Sequence, residues 1–198
     1  YIIWDNFELM TALRKDFYTR STDNVAKDLL GKILVRRLGD ELLGGIIVET
    51  EAYFGADDPS SRAFHGKKQY NSVMFGEPGH LFIYNVHRYW MLNFIAHDNV
   101  VGGILIRAIE PTMGMEIMKE NRPVKRDRDL TSGPGKLTLA LDVNRSLNGQ
   151  AATDESCTLF VQNNKYEFEM ETSHRIGVTK DLPEHFRFYV KNNRFVSK

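Results

Sequence analysis

The feature of this sequence that most constrains its fold is a β-hairpin predicted between residues 32 and 53. Residues 32–38 and 42–53 read as two strands joined at Gly39-Asp40, so they pair antiparallel. Further strand-like segments follow at residues 80–86, 89–96, 102–109, 157–161 and 186–190. The sequence therefore predicts an α+β fold with a largely antiparallel sheet.

Helices are predicted between and beside these strands. The best-marked helix takes Thr22 or Asp23 as its N-cap and Gly31 as its C-cap, with an apolar stripe between them. Ser132 is the predicted N-cap of another helix, which starts at Pro134. A short helix is expected at 113–121 and an ambiguous one within 7–17.

Composition indicates an ordinary soluble domain. The 198 residues are 42% hydrophobic and 26% charged, without repeats or linkers, so one domain spanning residues 1–198 is expected. No apolar run is long enough to span a membrane and the first twenty residues are charged, so we expect an intracellular protein. Cys157 is the single cysteine, which excludes an internal disulfide and a thiolate-rich zinc site.

The net charge is zero, with 26 basic and 26 acidic residues, which argues against a binder that depends on bulk positive charge. Basic residues nevertheless gather at 62–68 and 119–128. These clusters fit contacts to a few phosphates, and they fit solvated loops equally well.

The segment VETEAYFG, residues 48–55, is the first candidate for chemistry. A strand's period of two predicts one face with Glu49, Glu51 and Tyr53, and another with Val48, Thr50 and Ala52. Carboxylates beside an aromatic ring suit acid/base work on a flat polar substrate, although a solvated strand face is the alternative. The polar stretch 57–71 that follows is predicted to be a long surface loop.

A block of aromatic residues at 79–96 contains Tyr84 and precedes Asn93. Core packing alone would account for such a block, because strands are rich in aromatic residues. Five blocks taken together are more specific: VETEAYFG, VMFGEPGHLFIY (73–84), LIRAIEP (105–111), SGPGKL (132–137) and RFYV (187–190). In that order they resemble the alkyladenine, or 3-methylpurine, DNA glycosylase family over residues 7–196.

The resemblance implies a compact single domain whose curved antiparallel sheet, with peripheral helices, presents a positive face to double-stranded DNA containing a damaged purine. Members of the family rotate the damaged nucleotide out of the stack and hydrolyse its N-glycosidic bond in base excision repair. The family needs no metal and no redox cofactor. A monomer is expected, since one base per active site requires no dimer.

Site residues carry over by position. Glu51 matches the carboxylate that activates the attacking water, and Arg107 matches an arginine that helps hold that water. Tyr53 and Tyr84 match the rings that sandwich the flipped base. Asn93 matches the asparagine that disfavours the exocyclic amino group of normal guanine.

Two regions depart from the family pattern. Where the family usually has a pocket histidine and then an arginine, this chain has Arg62 and then His65. A cation at Arg62 would disfavour cationic 3-methyl- or 7-methylpurines and favour neutral or oxygen-rich bases such as hypoxanthine. The intercalating wedge, usually a tyrosine, is assigned to His87, with Arg88 or Tyr89 as alternatives.

The leading interpretation is a monofunctional purine DNA glycosylase, because no lysine falls at a matched pocket position to form a Schiff base. One alternative is a lesion-binding module of the same fold that has lost activity. Another is a carbohydrate glycosidase that uses Glu49 and Glu51 as its carboxylate pair.

Overall fold

The computed structural model of the protein describes residues 11–99 and 101–198. Within them lie eight strands: β1 (Ile33–Leu38), β2 (Glu41–Tyr53), β3 (Leu81–Val86), β4 (Tyr89–Ile95), β5 (Gly103–Met113), β6 (Leu159–Gln162), β7 (Met170–Ser173) and β8 (Arg187–Val190). The helices are α1 (Lys15–Tyr18), α2 (Thr22–Leu29), α3 (Met115–Asn121) and α4 (Pro134–Ala140), with short 3₁₀ helices at Gln69–Phe75, Asp127–Asp129 and Arg145–Leu147. The helix predicted within 7–17 falls partly outside the described residues.

One antiparallel sheet joins all the strands in the order β3-β4-β5-β2-β1-β6, with β8 pairing with both β2 and β7. The 13-residue β2 is its central element. The first half of β2 pairs with β1 and its second half with β8, while β5 runs along the other edge. The sheet curls into a half-barrel, which confirms the predicted α+β class and curved antiparallel sheet.

The main hydrophobic core lies between this sheet and the helices. Val25 and Leu29 of α2 and Leu137 of α4 are completely buried, and they join a cluster formed by apolar residues of the central strands. Burying each such side chain contributes about 1.5–3 kcal/mol relative to exposure, so the helices hold the sheet's curvature in place. No helix among the described residues is both long and apolar enough to cross a membrane.

Irregular pairing between β2 and β5 changes which way several side chains point. Ile47 pairs with Ile109 and Glu49 with Ala108, which leaves Val48 as an extra residue. Val48 packs in a separate cluster with Ala108, whereas the Thr50 hydroxyl donates to a carbonyl of α2. The prediction that Val48 shares a face with Thr50 and Ala52 is therefore wrong, because a β-bulge breaks the strand's period of two.

Some predicted element ends are also wrong. Ser21, rather than Thr22 or Asp23, occupies the N-cap of α2, and the Thr22 hydroxyl donates to the carbonyl of Ala96. Gly133, rather than Ser132, occupies the N-cap of α4, directly before the proline that opens the helix. In the first case, the long-range hydrogen bond from the Thr22 hydroxyl to a backbone carbonyl outweighs the local capping preference.

Strand β5 runs further than predicted, through Pro111 to Met113. Pro111 pairs with Gly45 at a register shift, and a Cβ at Gly45 would lie 2.0 Å from the carbonyl oxygen of Glu110. Only glycine permits this close approach, so Gly45 allows the strand to pass a proline.

The loop predicted at 57–71 has no strand, but it is not confined to the surface. Asp58 and Asn71 are fully buried, and Asn71 donates to the backbone carbonyls of Arg62 and Gly66. The loop is thus fixed by buried side chains on its inner side, while the side chain of Arg62 is exposed to solvent.

Candidate active site

Glu51 lies at the centre of the sheet with none of its surface exposed. Its Oε2 accepts hydrogen bonds from the Tyr53 hydroxyl at 2.8 Å and from Arg107 Nη1 at 3.2 Å. Its Oε1 accepts one from the backbone N–H of Ile176 at 2.7 Å. A carboxylate offers about four lone-pair positions, so three donors leave one for a further partner such as water.

The surroundings of Glu51 favour its protonated form. Burial raises the pKa of the carboxyl above its usual range, although the charge of Arg107 and the hydrogen bonds from Ile176 and Tyr53 oppose that rise. A carboxylate with a raised pKa is a stronger base than an exposed one, which is the property a general base requires.

Glu49, on the same strand, is equally buried but fully committed to structural partners. Its Oε1 accepts from Arg107 Nε at 2.9 Å, from Arg187 Nε at 2.7 Å and from Ser197 Oγ at 2.8 Å. Its Oε2 accepts from the backbone N–H of Ser197 at 2.6 Å. No sugar can lie between Glu49 and Glu51 in this arrangement, so a pair of glycosidase carboxylates is not favoured.

Arg107 connects the two carboxylates. Its Nε donates to Glu49, its Nη1 to Glu51 and its Nη2 to the hydroxyl of Ser197. Burial opposes the charge on this guanidinium, but the two carboxylates outweigh that effect and raise its pKa. Arg107 therefore stays charged and has a fixed orientation beside Glu51.

A small enclosed cavity lies beside Tyr53, the tyrosine that donates to Glu51. It is lined by Tyr53, Ser60, Arg62, Met74, Phe82, Tyr84, Asn93 and Gly103. Its free space is about 10 Å³, which is room for about one water molecule. The sequence-predicted residues Tyr53, Tyr84, Asn93 and Arg62 thus meet at one place, which is closed in this conformation.

Arg62 closes that cavity. Its guanidinium carbon lies 4.7 Å from the ring centroid of Tyr84, within range of a cation–π contact. The Tyr84 ring is stacked on its other neighbour, Phe82, with centroids 5.0 Å apart. Asn71 donates to the backbone carbonyl of Arg62, so the backbone is fixed while the side chain is exposed.

Asn93 is held rigidly at the cavity wall. Its side-chain nitrogen donates to the carbonyls of Phe82 at 3.0 Å and Met91 at 3.3 Å, and the residue is 5% exposed. These two hydrogen bonds fix the orientation of the amide at the cavity wall.

Two open clefts share residues with the site, one with the enclosed cavity and the other through Arg107. The first, of about 610 Å³, shares Arg62 and Tyr84 with the cavity and has seven further lining residues: Gln69, Tyr70, Ile83, Asn85, Trp90, Arg145 and Asn148.

The second cleft, which we call the basic cleft, has about 570 Å³ and reaches Arg107. Its lining has one acidic side chain, Asp129, and seven cationic ones: Arg107, Arg122, Arg126, Arg128, Lys136, Arg194 and Lys198. The cluster predicted at 119–128 thus supplies three of these side chains, and an anionic polymer would be attracted to this cleft.

The β3–β4 hairpin carries the predicted wedge at its tip. His87 and Arg88 are both exposed there, and His87 has φ of 54°. Arg88 Nη2 donates to the Tyr89 hydroxyl at 2.9 Å, and Tyr89 packs so closely on Gly135 that a Cβ there would lie 2.8 Å from its ring. Tyr89 is therefore held against the protein, while His87 projects from the turn.

Several groups at the site were not predicted. The N–H of Ile176 carries no residue-type signal, because any residue but proline supplies one. Arg187 lay in a recognised block, RFYV, without an assigned role, and Ser197 lay outside every block. Long-range pairing alone brings these groups to Glu49 and Glu51.

Comparison with known proteins agrees with this geometry. The family model described as methylpurine-DNA glycosylase matches residues 16–194. A protein of Chlorobium phaeobacteroides, strain DSM 266, is 41% identical over 96% of this chain and 98% of its own length. Proteins of Carboxydothermus hydrogenoformans and Methanocella arvoryzae are each 42% identical, over 94% and 96% of this chain and 98% and 97% of their own lengths.

All three relatives are named as provisional 3-methyladenine DNA glycosylases. The match extends over most of the chain, and it includes the strands that carry Glu51, Tyr84 and Arg107. The chain therefore belongs to the methylpurine-DNA glycosylase family, a family of DNA-repair hydrolases.

Proposed function

We propose that this protein is a monofunctional glycosylase that flips a damaged purine out of duplex DNA and hydrolyses its N-glycosidic bond. The observation that carries the proposal is the buried Glu51 carboxylate, held beside a charged arginine and next to an aromatic cavity. Few other roles account for a buried carboxylate with a raised pKa at such a position.

Glu51 is proposed as the general base. The unused lone pair of its carboxylate accepts a proton from a water molecule, which attacks the sugar carbon as the base leaves. The transition state carries positive charge on the sugar, and the same carboxylate stabilises that charge electrostatically. Arg107 orients the carboxylate and, by our proposal, the water as well.

Tyr53 and Tyr84 are proposed to stack on the flipped base. Both rings line the enclosed cavity, and both are half-buried. A base enters only after Arg62 leaves its place on Tyr84 and turns into the adjoining open cleft. The cation then lies at the mouth of the pocket, where its N–H groups can donate to an oxygen on the purine edge.

This position of Arg62 bears on the choice of lesion. A guanidinium near the bound ring repels 3-methyl- and 7-methylpurines, which are cationic, and attracts neutral bases that present oxygen acceptors. We therefore propose that hypoxanthine is a better substrate than 7-methylguanine. Asn93, fixed by its two hydrogen bonds, is proposed to exclude the exocyclic amino group of normal guanine.

The chemistry is proposed to stop at base release. Lysine is absent from the described residues that line the enclosed cavity, so no amine is placed to form a Schiff base with the sugar. The basic cleft, which reaches Arg107, is proposed to hold the DNA backbone beside the site.

The test is single-turnover excision from duplexes that each hold one hypoxanthine, ethenoadenine or 7-methylguanine. Glu51→Gln keeps the shape of the side chain but cannot accept a proton, so excision should fall about 100-fold or more. Glu116→Gln, at an exposed position on α3, is the matched control and should act as the wild type does.

Equal excision by Glu51→Gln and wild type would remove Glu51 from the mechanism. Tight, salt-sensitive binding of lesion DNA without base release by the wild type would instead indicate a binding module. Faster release of 7-methylguanine than of hypoxanthine would contradict the role given to Arg62.

A further inference from the structure

Arg175 is a buried arginine outside all five recognised sequence blocks, and its side chain has no exposed surface. Its Nη1 and Nη2 donate to the two oxygens of Asp58 at 2.6 and 2.8 Å. Its Nε donates to Asp181 Oδ1 at 2.8 Å, and Nη1 also donates to the carbonyl of Ala52 at 3.0 Å. Such a paired fork fixes the guanidinium in plane as well as in position.

This cluster, which we call the Arg175 clamp (Arg175, Asp58 and Asp181), joins three segments of the site. Ala52 belongs to β2, directly between Glu51 and Tyr53. Asp58 organises the loop after β2, because it accepts from the backbone N–H groups of Phe54 and Ser60. Asp181 closes the loop that carries Arg175 itself.

The loop that carries Arg175 is held by hydrogen bonds to Asp181. Asp181 Oδ2 accepts from the backbone N–H of Arg175 at 2.9 Å, and Oδ1 accepts from that of Leu182. The loop is thereby fixed at Arg175 and at Leu182, and the N–H of the next residue, Ile176, donates to Glu51 Oε1 at 2.7 Å.

The clamp also supports one wall of the base cavity. The guanidinium carbon of Arg175 lies 4.5 Å from the ring centroid of Tyr53. The Tyr53 hydroxyl donates to Glu51, so ring and carboxylate move together. A shift of the guanidinium would therefore displace a stacking wall and two of the three donors to Glu51.

We propose that Arg175, clamped by Asp58 and Asp181, is a positioning residue that sets the Ile176 N–H and the Tyr53 ring against Glu51. The inference rests on the proposed role of Glu51 as the base, but it concerns a residue that never touches substrate. Burial opposes the charge of Arg175, yet its hydrogen bond and attraction to Asp58 raise its pKa, so it remains a cation.

Loss of the clamp has a defined effect on Glu51. The groups that face its carboxyl are the N–H of Ile176, the guanidinium of Arg107, the carboxylate of Glu49 and the phenols of Tyr53 and Tyr84. The N–H of Ile176 stabilises the charged form, so removing it raises the Glu51 pKa further. The base is active only when ionised, so the acid limb of the pH–rate profile moves to higher pH.

Arg175→Lys tests the proposal, since lysine keeps the charge but cannot form the fork. We expect single-turnover excision to fall about 10- to 100-fold, as small misplacements of site groups do elsewhere. The acid limb should move to higher pH, and hydrogen exchange at the Ile176 amide should speed up. Asp181→Asn is the milder variant, because its side chain is 15% exposed. It should also move the acid limb to higher pH and speed up exchange at the Ile176 amide.

Arg36→Lys is the matched control, because Arg36 is a buried arginine on β1 that bonds Thr158 away from the site. It should leave the acid limb and the Ile176 amide unchanged. The proposal is overturned if Arg175→Lys and Asp181→Asn lower only the melting temperature, while the acid limb and the amide exchange stay as in the wild type.

Failure of the proposed function has a different signature. In that case the wild type itself releases no base, or Glu51→Gln releases it normally. Exchange at the Ile176 amide is measured without DNA, so it decides the positioning role in either case.

Discussion

Glu49 and Glu51 are buried on the same strand, but their environments give them opposite effects on stability. Glu49 accepts four hydrogen bonds, two of them from arginines, and is the hub of a structural network. Glu51 has a raised pKa, which means that the folded protein holds its proton more firmly than the unfolded chain does. Ionisation of Glu51 therefore lowers the free energy of unfolding.

Glutamine substitutions at Glu49 and at Glu51 should therefore have different effects on the free energy of unfolding. Glu49→Gln leaves Arg187 buried beside no carboxylate and should lower the free energy of unfolding by about 3–5 kcal/mol. Glu51→Gln removes a charge that burial disfavours and should leave stability unchanged or raise it by up to about 1 kcal/mol. Urea unfolding of both variants and the wild type at pH 8 measures the difference.

The pH dependence of stability tests whether the Glu51 pKa is raised in the folded protein. The stabilising contribution of a carboxyl with a raised folded-state pKa is present below its unfolded pKa and is lost as the pH rises through the folded pKa. The stability of Glu51→Gln relative to the wild type should thus increase between pH 4 and pH 8. A fall over that interval would mean that the Glu51 carboxylate is stabilised in the fold.

At the scale of elements, the β3–β4 hairpin carries one residue packed against the protein, Tyr89, and one exposed at the turn, His87. Tyr89 packs on Gly135 and holds Arg88, so neither is as well placed as His87 to enter a DNA duplex. His87 adopts φ of 54°, a backbone conformation that costs a non-glycine residue about 1 kcal/mol or more. A strained, exposed residue at a turn is typical of a position selected for function.

His87→Ala and His87→Gly both remove the imidazole, but only glycine relieves the strain. We expect both to reduce excision from duplex DNA roughly tenfold, since a wedge offsets part of the few kcal/mol needed to unstack a base. His87→Gly should be the more stable of the two by about 1 kcal/mol. Excision assays on duplex and single-stranded substrates, with thermal melts, compare them.

Arg88→Ala is the control for this hairpin and should retain most duplex excision. If Arg88→Ala loses activity while His87→Ala keeps it, the wedge is Arg88. Equal losses on single-stranded substrate would show that His87 acts on something other than unstacking.

At the scale of the whole molecule, the distribution of charge matters more than its sum. The chain has 26 basic and 26 acidic residues, yet the basic cleft has seven cationic side chains and one acidic one. We therefore expect an anionic duplex to bind at the basic cleft, through local rather than net positive charge.

Binding of lesion DNA should weaken as salt rises, with a slope in log K against log salt of about −0.9 for each phosphate neutralised. Arg128→Ala should reduce that slope by about one, because it removes one cationic contact. Arg14→Ala, in a different cleft, is the control and should leave the slope unchanged. Fluorescence anisotropy between 50 and 300 mM salt measures both, and equal slopes for all three proteins would place the DNA elsewhere.

Local sequence and the family resemblance indicated seven of the eight described strands, the class of fold and half of the residues that line the enclosed cavity. The strand-like run at 42–53 predicts β2, and the period of two puts Glu51 and Tyr53 on one face of it, where the two side chains form a hydrogen bond. The family resemblance then supplied Tyr84, Asn93 and Arg107 by position, and Arg62 as a departure from the usual pocket histidine. All four line the enclosed cavity or contact Glu51. These features depend on neighbours in the chain or on residue type, and both are present in the sequence.

Only the tertiary structure decided the rest. The bulge that turns Val48 away from Thr50, the commitment of Glu49 to two arginines, and the Ile176 N–H on Glu51 all arise from pairing between distant segments. Arg175 meets Asp58 across 117 positions of the chain, and nothing in either local sequence indicates that contact. Such contacts form because buried charges must find partners once the sheet has brought them together, and no local pattern contains that requirement.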